Sequence, residues 1–231
     1  MINLNSIPQH LAAVRARIAQ AEIQFGRVPG SVELLAVSKM HPAAAIRAAC
    51  AAGQMRFGES YAQEALAKMS AVTDLPLEWH FIGPIQSNKT RDVATHFSWV
   101  QSVERDKIAR RLSEQRPATL PPLNVCIQVN VSGEASKSGV STEDVAALAL
   151  TIRKLPQLRL RGLMAIPAPQ AEFDQQRAGF RVLRELYEQL GDAGYELDTL
   201  SMGMTDDLEA AIAEGATLVR VGTAIFGERV G

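Results

Sequence analysis

Apolar positions along the chain alternate between two spacings. Ile7, Leu11, Val14 and Ile18 recur three or four residues apart, which puts them on one helix face, and this first helix is expected to end near Gly26. Glu33 to Ser38 is then a short, almost continuous apolar run, the pattern of a strand buried on both faces. An alanine-rich stretch from Pro42 to Ala52 returns to helical character and stops at Gly53. The same exchange repeats to the end of the chain. Strand candidates fall at 33–38, 55–58, 77–82, 98–103, 124–131, 158–165, 197–202 and 217–221, each followed by a helix candidate. Ser60 to Met69 aligns Tyr61, Ala65, Leu66 and Met69 on a helix. Ser141 to Asp144 reads as the cap of a helix carrying Val145, Leu148, Ile152 and Leu155, and Thr205 as the cap of a helix running to Glu214.

Strict alternation of strands and helices implies parallel pairing through right-handed crossovers. Eight such units in 231 residues predict a single α/β domain over 1–231, a closed (β/α)8 TIM-type barrel with an extra N-terminal helix. An open doubly wound sheet is the alternative, and the absence of G-x-G-x-x-G after any strand candidate counts against its dinucleotide-binding form. The Pro-rich stretch 116–122 reads as a loop rather than a domain boundary, because each half alone would be an incomplete sheet.

Charge and composition then exclude several function classes. The chain has 24 Lys+Arg and 25 Asp+Glu, a net charge of -1, so it lacks the basic footprint expected for nucleic acid or an anionic membrane. Aromatic residues at 5 % leave few platforms for stacking bases. Cys50 and Cys126 sit in apolar stretches and read as small buried hydrophobes. The four histidines are isolated and no Cys/His spacing suits a metal. The N-terminal residues lack a signal-peptide pattern, and no apolar stretch is long enough to span a bilayer, so a cytoplasmic protein is expected.

In a barrel, active groups belong at the C-terminal ends of the strands. Of six lysines, only Lys39 directly follows the apolar core of a strand. A desolvated amine there suits attack on a carbonyl to form a Schiff base; the other reading is a strand-end lysine reaching solvent. Ser201 to Thr205 follows the seventh strand and Gly222-Thr223 the eighth, the loops that recurrently bind phosphate in such barrels, although Thr205 and Thr223 equally suit plain helix caps. Arg220 interrupts an apolar strand and needs an acceptor, either a strand neighbour or a ligand. A permanently protonated arginine would leave a pyridine nitrogen unprotonated and weaken the ring as an electron sink. Together these residues suit pyridoxal 5'-phosphate (PLP), with its aldehyde on Lys39, its phosphate at 201–203 and 222–223, and Arg220 at its ring nitrogen.

Seven segments, in order, carry a more specific likeness: Leu35 to Lys39 (LAVSK), Phe57 to Tyr61 (FGESY) with Gln63-Glu64, His80 to Lys89 (HFIGPIQSNK), Asn130 to Gly139 (NVSGEASKSG), Gly162 to Pro167 (GLMAIP), Leu200 to Asp207 (LSMGMTDD) and Val219 to Arg229 (VRVGTAIFGER). With them the chain resembles, over essentially its full length, the pyridoxal phosphate homeostasis protein family. The resemblance implies a monomeric (β/α)8 barrel like the N-terminal domain of alanine racemase. It implies that Lys39 carries PLP as an internal aldimine, that Ser201, Gly203, Gly222 and Thr223 hold its phosphate, and that Arg220 meets its ring nitrogen. Ser60 stands where the family usually has Asn and is kept as a candidate contact. Asn88 and Lys89 also match, and equally suit a helix cap.

The function so implied is that of a PLP carrier and regulator of vitamin B6 and amino-acid pools, with apoenzymes as the expected recipients of PLP, no established reaction and no catalytic or metal-binding residue to assign. Racemisation in the resembling racemases needs a tyrosine from a second domain of the partner subunit. This chain is expected to lack that domain, since it ends at Gly231 just after the eighth unit, and Tyr61, Tyr187 and Tyr195 read as packing residues. The alternative is an enzyme, either a slow amino-acid racemase or an aldolase-like Schiff-base lyase.

Overall fold

A computed structural model of the chain describes residues 3–134 and 138–228. Residues 135–137, inside the Asn130 to Gly139 motif, and Arg229 at the end of the last motif lie outside the described residues. The elements run α1 (Ile7–Gln24), β1 (Glu33–Val37), α2 (Ala43–Ala51), β2 (Arg56–Glu59), α3 (Ala62–Ala71), β3 (Glu78–Phe81), α4 (Thr90–His96), β4 (Trp99–Val103) and α5 (Asp106–Gln115). They continue β5 (Leu123–Gln128), α6 (Val145–Arg153), β6 (Leu158–Met164), α7 (Phe173–Asp192), β7 (Thr199–Ser201), α8 (Leu208–Ala213), β8 (Leu218–Val221) and α9 (Thr223–Phe226). Each strand is parallel to the next, and β8 pairs with β1 to close the barrel in the expected order. Every strand-to-strand crossover places a helix on the outside, so the closed sheet has no edge to protect.

The two-sided burial of the strands divides the apolar residues into two cores. Leu34, Ala36, Phe57 and Val100 join the layer between strands and helices. On the other face, Leu35 lies against Gly58 and Ile82, and Trp99, Cys126 and Met164 cluster inside the barrel. The extra helix α1 packs beside α2, α8 and α9, covering the outside where β8 meets β1, and His10 Nδ1 lies 3.0 Å from the Ile225 carbonyl.

Several expectations need correction. β5 stops at Gln128 rather than 131: Val129 still donates its N–H to the Met164 carbonyl at 2.8 Å, but it bridges to Val140, outside the barrel strands. α3 begins after an extended Tyr61, so its buried face is Ala62, Ala65 and Lys68, and Tyr61 is 55 % exposed. Thr205 caps no helix: α8 starts after Asp207, whose carboxylate accepts the Met204 N–H at 2.6 Å. Ser141 Oγ donates to the Asp144 carboxylate at 2.8 Å instead of capping a backbone N–H. Neither Asn88 nor Lys89 makes a side-chain cap; they sit in the Ser87–Lys89 3-10 turn ahead of α4. Cys50 is only half-buried, its Sγ 3.9 Å from Met55 Sδ. The 116–122 stretch needs no correction: it is a loop as expected, pinned by the buried Arg116, which donates to the carbonyls of Ala94, Phe97 and Pro121.

The barrel wall is tight enough that one methyl group should disrupt it. A Cβ at Gly162 would stand 1.6 Å from the Thr199 carbonyl oxygen in the paired strand β7. Gly162→Ala is therefore expected to cost at least roughly 3 kcal/mol, the upper part of the usual overpacking range, read as a lowered urea midpoint. An unchanged midpoint would contradict this packing. Among the described residues no helix is long and apolar enough to cross a membrane.

Candidate functional site

The C-terminal ends of β1, β2, β7 and β8 open onto one pocket of about 280 Å³. Lys39, Ser60, Arg220, Gly222 and Thr223 all line it. Val37, Ile82 and Ile166 supply apolar wall, and Met204, Thr205 and Asp206 come from the loop after β7. His41, just beyond Lys39, also lines the pocket without having been singled out by the sequence pattern, as does Asp206, which lies in the matched segment Leu200 to Asp207 but was given no role. Two of the predicted contacts are arranged differently. Ser201 and Gly203 are fully buried beneath the pocket and are not part of its lining. Ser201 Oγ accepts from Arg220 Nη1 at 2.7 Å, and the Gly203 carbonyl accepts the Arg220 N–H at 2.9 Å. Gly203 has φ +92°, and a Cβ there would stand 2.5 Å from Ala211 Cβ, so the loop takes this path only with glycine. Both residues act on Arg220 and on the course of the loop.

Lys39 is carried on a turn held from behind by charge. Lys68 on α3 reaches inward and donates to the Ser38 carbonyl at 2.7 Å and to Glu59 Oε1 at 2.8 Å, with Glu64 Oε1 at 2.5 Å. Glu59 is fully buried at the end of β2 and also accepts from Ser38 Oγ at 2.7 Å. On the far side of Lys39, the Met40 N–H donates to Glu64 Oε1 at 2.6 Å. Met40 holds φ 63°, a left-handed backbone that a non-glycine residue adopts at a cost of about 1 kcal/mol or more, and the bond to Glu64 offsets that strain. The residues before and after Lys39 are thus both fixed by α3. Burial pushes the Glu59 carboxyl above the usual carboxylate range, opposed by the nearby Lys68 ammonium. Glu64 lies in a segment already marked by the family likeness, whereas Lys68 carried no signal, since a helix lysine ordinarily points to water.

Arg220 enters from β8 and is 3 % exposed. Its Nη1 donates to Ser201 Oγ and its Nη2 to the Ala165 carbonyl at 2.8 Å, which leaves further N–H groups of its five-donor fork for the pocket it lines. Burial lowers its pKa to about 10, so it stays protonated at neutral pH. A lysine amine, a buried guanidinium and loops of small residues therefore converge on a single cavity. Such a set can condense with an aldehyde, donate to an aromatic nitrogen, and offer backbone N–H groups to an anion. Among the described residues there is no group of three His, Cys, Asp or Glu side chains suited to a metal.

Comparisons with known proteins show the family and the fold. The alanine racemase N-terminal domain family matches residues 9–230. The pyridoxal phosphate homeostasis protein of Pseudomonas aeruginosa is 65 % identical over 226 residues, covering 98 % of this chain and 97 % of its own. Among solved structures, PipY of Synechococcus elongatus with PLP bound has 40 % identity and a TM-score of 0.84, covering 96 % of this chain and all of that one. Alanine racemase from Corynebacterium glutamicum shares the fold alone, with 15 % identity and a TM-score of 0.71 over 97 % of this chain and 60 % of that one. On the strength of the matched barrel and the near-complete overlap with its relatives, the chain belongs to the pyridoxal phosphate homeostasis protein family, built on the alanine racemase N-terminal domain.

Proposed function

We propose that this protein binds PLP through a Schiff base on Lys39 and serves the intracellular homeostasis of PLP and amino acids as a carrier. The observation that carries this reading is the meeting of Lys39 and Arg220, from opposite ends of the sequence, in one pocket of about 280 Å³. The residues present suit the cofactor. Lys39 supplies the amine for its aldehyde, Arg220 a donor for its ring nitrogen, and Gly222-Thr223 with the loop after β7 the N–H groups for its phosphate, while Ser60 stands at the pocket wall. PLP, when bound, supplies an aldehyde that captures amines and a ring that withdraws electrons. The chain's own residues temper that chemistry: a guanidinium that keeps its proton leaves the ring nitrogen unprotonated and the ring a weaker electron sink.

The lining also favours a carrier over a racemase. Tyr61, the tyrosine nearest in sequence to the pocket residue Ser60, is not among the lining residues, and neither is Tyr187 or Tyr195. No tyrosine thus faces Lys39 as an opposing acid. We take apo PLP enzymes as the recipients of the cofactor, and a monomer as the acting form.

Reduction with borohydride after incubation with PLP tests the proposal. Peptide mapping is expected to place the label on Lys39. A sugar phosphate in place of PLP is expected to leave the lysine unlabelled, and labelling by the sugar alone would favour an aldolase. Absence of label with PLP, or label scattered over the other lysines, would overturn the reading, as would robust turnover of an amino acid by the pure protein.

A further inference from the structure

A line of polar side chains crosses the barrel interior beneath the pocket. Arg220 Nη1 donates to Ser201 Oγ at 2.7 Å, and Ser201 Oγ donates to Gln101 Oε1 at 2.7 Å. Gln101 Nε2 lies 2.9 Å from His80 Nδ1, and His80 Nε2 lies 2.9 Å from Glu78 Oε1. Ser201, Gln101, His80 and Arg220 are all buried, on β7, β4, β3 and β8. Glu78, at the start of β3, lines a second pocket at the opposite end of the barrel and shares Arg56 with Glu33.

The two ends settle every donor between them. An arginine only donates, so Ser201 Oγ must accept from it, which frees the hydroxyl proton for Gln101 Oε1. The Gln101 amide oxygen is then used, and its NH2 faces His80 Nδ1. That nitrogen must accept, so the imidazole proton sits on Nε2 and points at the Glu78 carboxylate, which only accepts. Burial disfavours the charged imidazole, in keeping with a single ring proton. Stacking on Trp99, with ring centroids 5.1 Å apart and planes 7° apart, holds the His80 ring in place. All donors run one way, from the guanidinium to the carboxylate, and bonds aligned in this sense polarise one another in a low-dielectric interior.

We propose that Gln101 and Ser201, backed by His80 and Glu78, are positioning residues that aim Arg220 at the ring nitrogen of bound PLP. The proposal rests on the reading of the pocket given above. Packing alone would not require this chain, since an apolar barrel interior is achievable with Leu, Val and Ile. A buried arginine side chain with several rotatable bonds does require it: the Ser201 lone pairs face Arg220 only while its hydroxyl is directed at Gln101.

Affinity for PLP compared with its 1-deaza analogue, in which C–H replaces the ring nitrogen, measures the aim of Arg220 directly. The full-length wild-type protein is expected to prefer PLP by roughly tenfold to a hundredfold, the range for a hydrogen bond to a charged donor. Gln101→Leu and Ser201→Ala are expected to bring that preference to within roughly threefold, while both compounds are still captured at Lys39. Loss of packing would weaken both compounds together and leave their ratio intact, so an unchanged ratio in the variants overturns the proposal. Equal binding of both compounds by the wild type overturns it as well. Failure of the wild type to capture PLP at all is a different result, which removes the proposed function itself. Ser201→Ala deletes a single oxygen, so at least one variant of the pair retains the fold, as a thermal melt would verify.

Discussion

Lys39→Ala is expected to abolish the visible absorption of the PLP-loaded protein and all borohydride-fixed label, while leaving the fold intact. Among the described residues Lys39 is the only lysine lining the pocket, so no other lysine described there can replace it. Its side chain is half-buried and lies past the last residue of β1, so the apo protein should lose less than about 1 kcal/mol on truncation. Binding is a separate quantity from colour. Arg220, Gly222 and Thr223 still line the pocket, as the proposed contacts to ring and phosphate, and the variant should bind PLP at least roughly a hundredfold more weakly, because an amine fixed at the site acts at a high effective concentration. Adding a small primary amine should restore part of the absorption in the variant. Titration by absorbance and by calorimetry reads both effects. Wild-type absorption in Lys39→Ala would assign the amine to another residue and sink the role given to Lys39.

The route from sequence to this site was uneven for physical reasons. The barrel was legible because buried parallel strands must be apolar on both faces, so runs such as Leu34 to Val37 announce themselves. Lys39 and Arg220 were legible for the opposite reason: Arg220 puts a charge inside a strand that should be apolar, and Lys39 puts one just past the end of β1, and such violations are where a functional site is sought. Ser201 was legible as part of the loop after β7, but its contact was not. Its partner Gln101 lies 100 residues away and meets it only once the barrel closes. Tyr61 reads as part of a helix face because it stands four residues before Ala65, but the chain is extended there and α3 begins at Ala62. Lys68, seven residues after Tyr61, lies on that same face and is buried on it, and a helix lysine gives no sign in the sequence that it turns inward to form the ion pair behind Lys39.

That ion pair should give the largest stability effect in the protein. Lys68→Met leaves the Glu59 carboxylate fully buried with Ser38 Oγ as its one remaining donor, and removing a single partner of a buried pair costs roughly 3–5 kcal/mol. The loss should depend on pH in a direction set by Glu59. Burial raises its pKa above the ordinary 4.5, and Lys68 is the largest influence holding it down, so the variant should raise it further. A carboxyl whose pKa is higher folded than unfolded binds more protons in the native state, so stability falls as pH rises through that window. The deficit of Lys68→Met should therefore be largest at pH 8 and shrink toward pH 5, as read by urea midpoints against wild type. Glu59→Gln/Lys68→Met removes the charge and should flatten the dependence. A deficit that stays constant with pH would show that lost packing, rather than an uncompensated carboxylate, is the cause. Even at pH 5 the variant lacks the bond from Lys68 to the Ser38 carbonyl, so capture of PLP by an intact Lys39 should remain impaired where stability has recovered. The two readouts thus separate the contribution of Lys68 to the fold from its hold on the turn that presents the lysine.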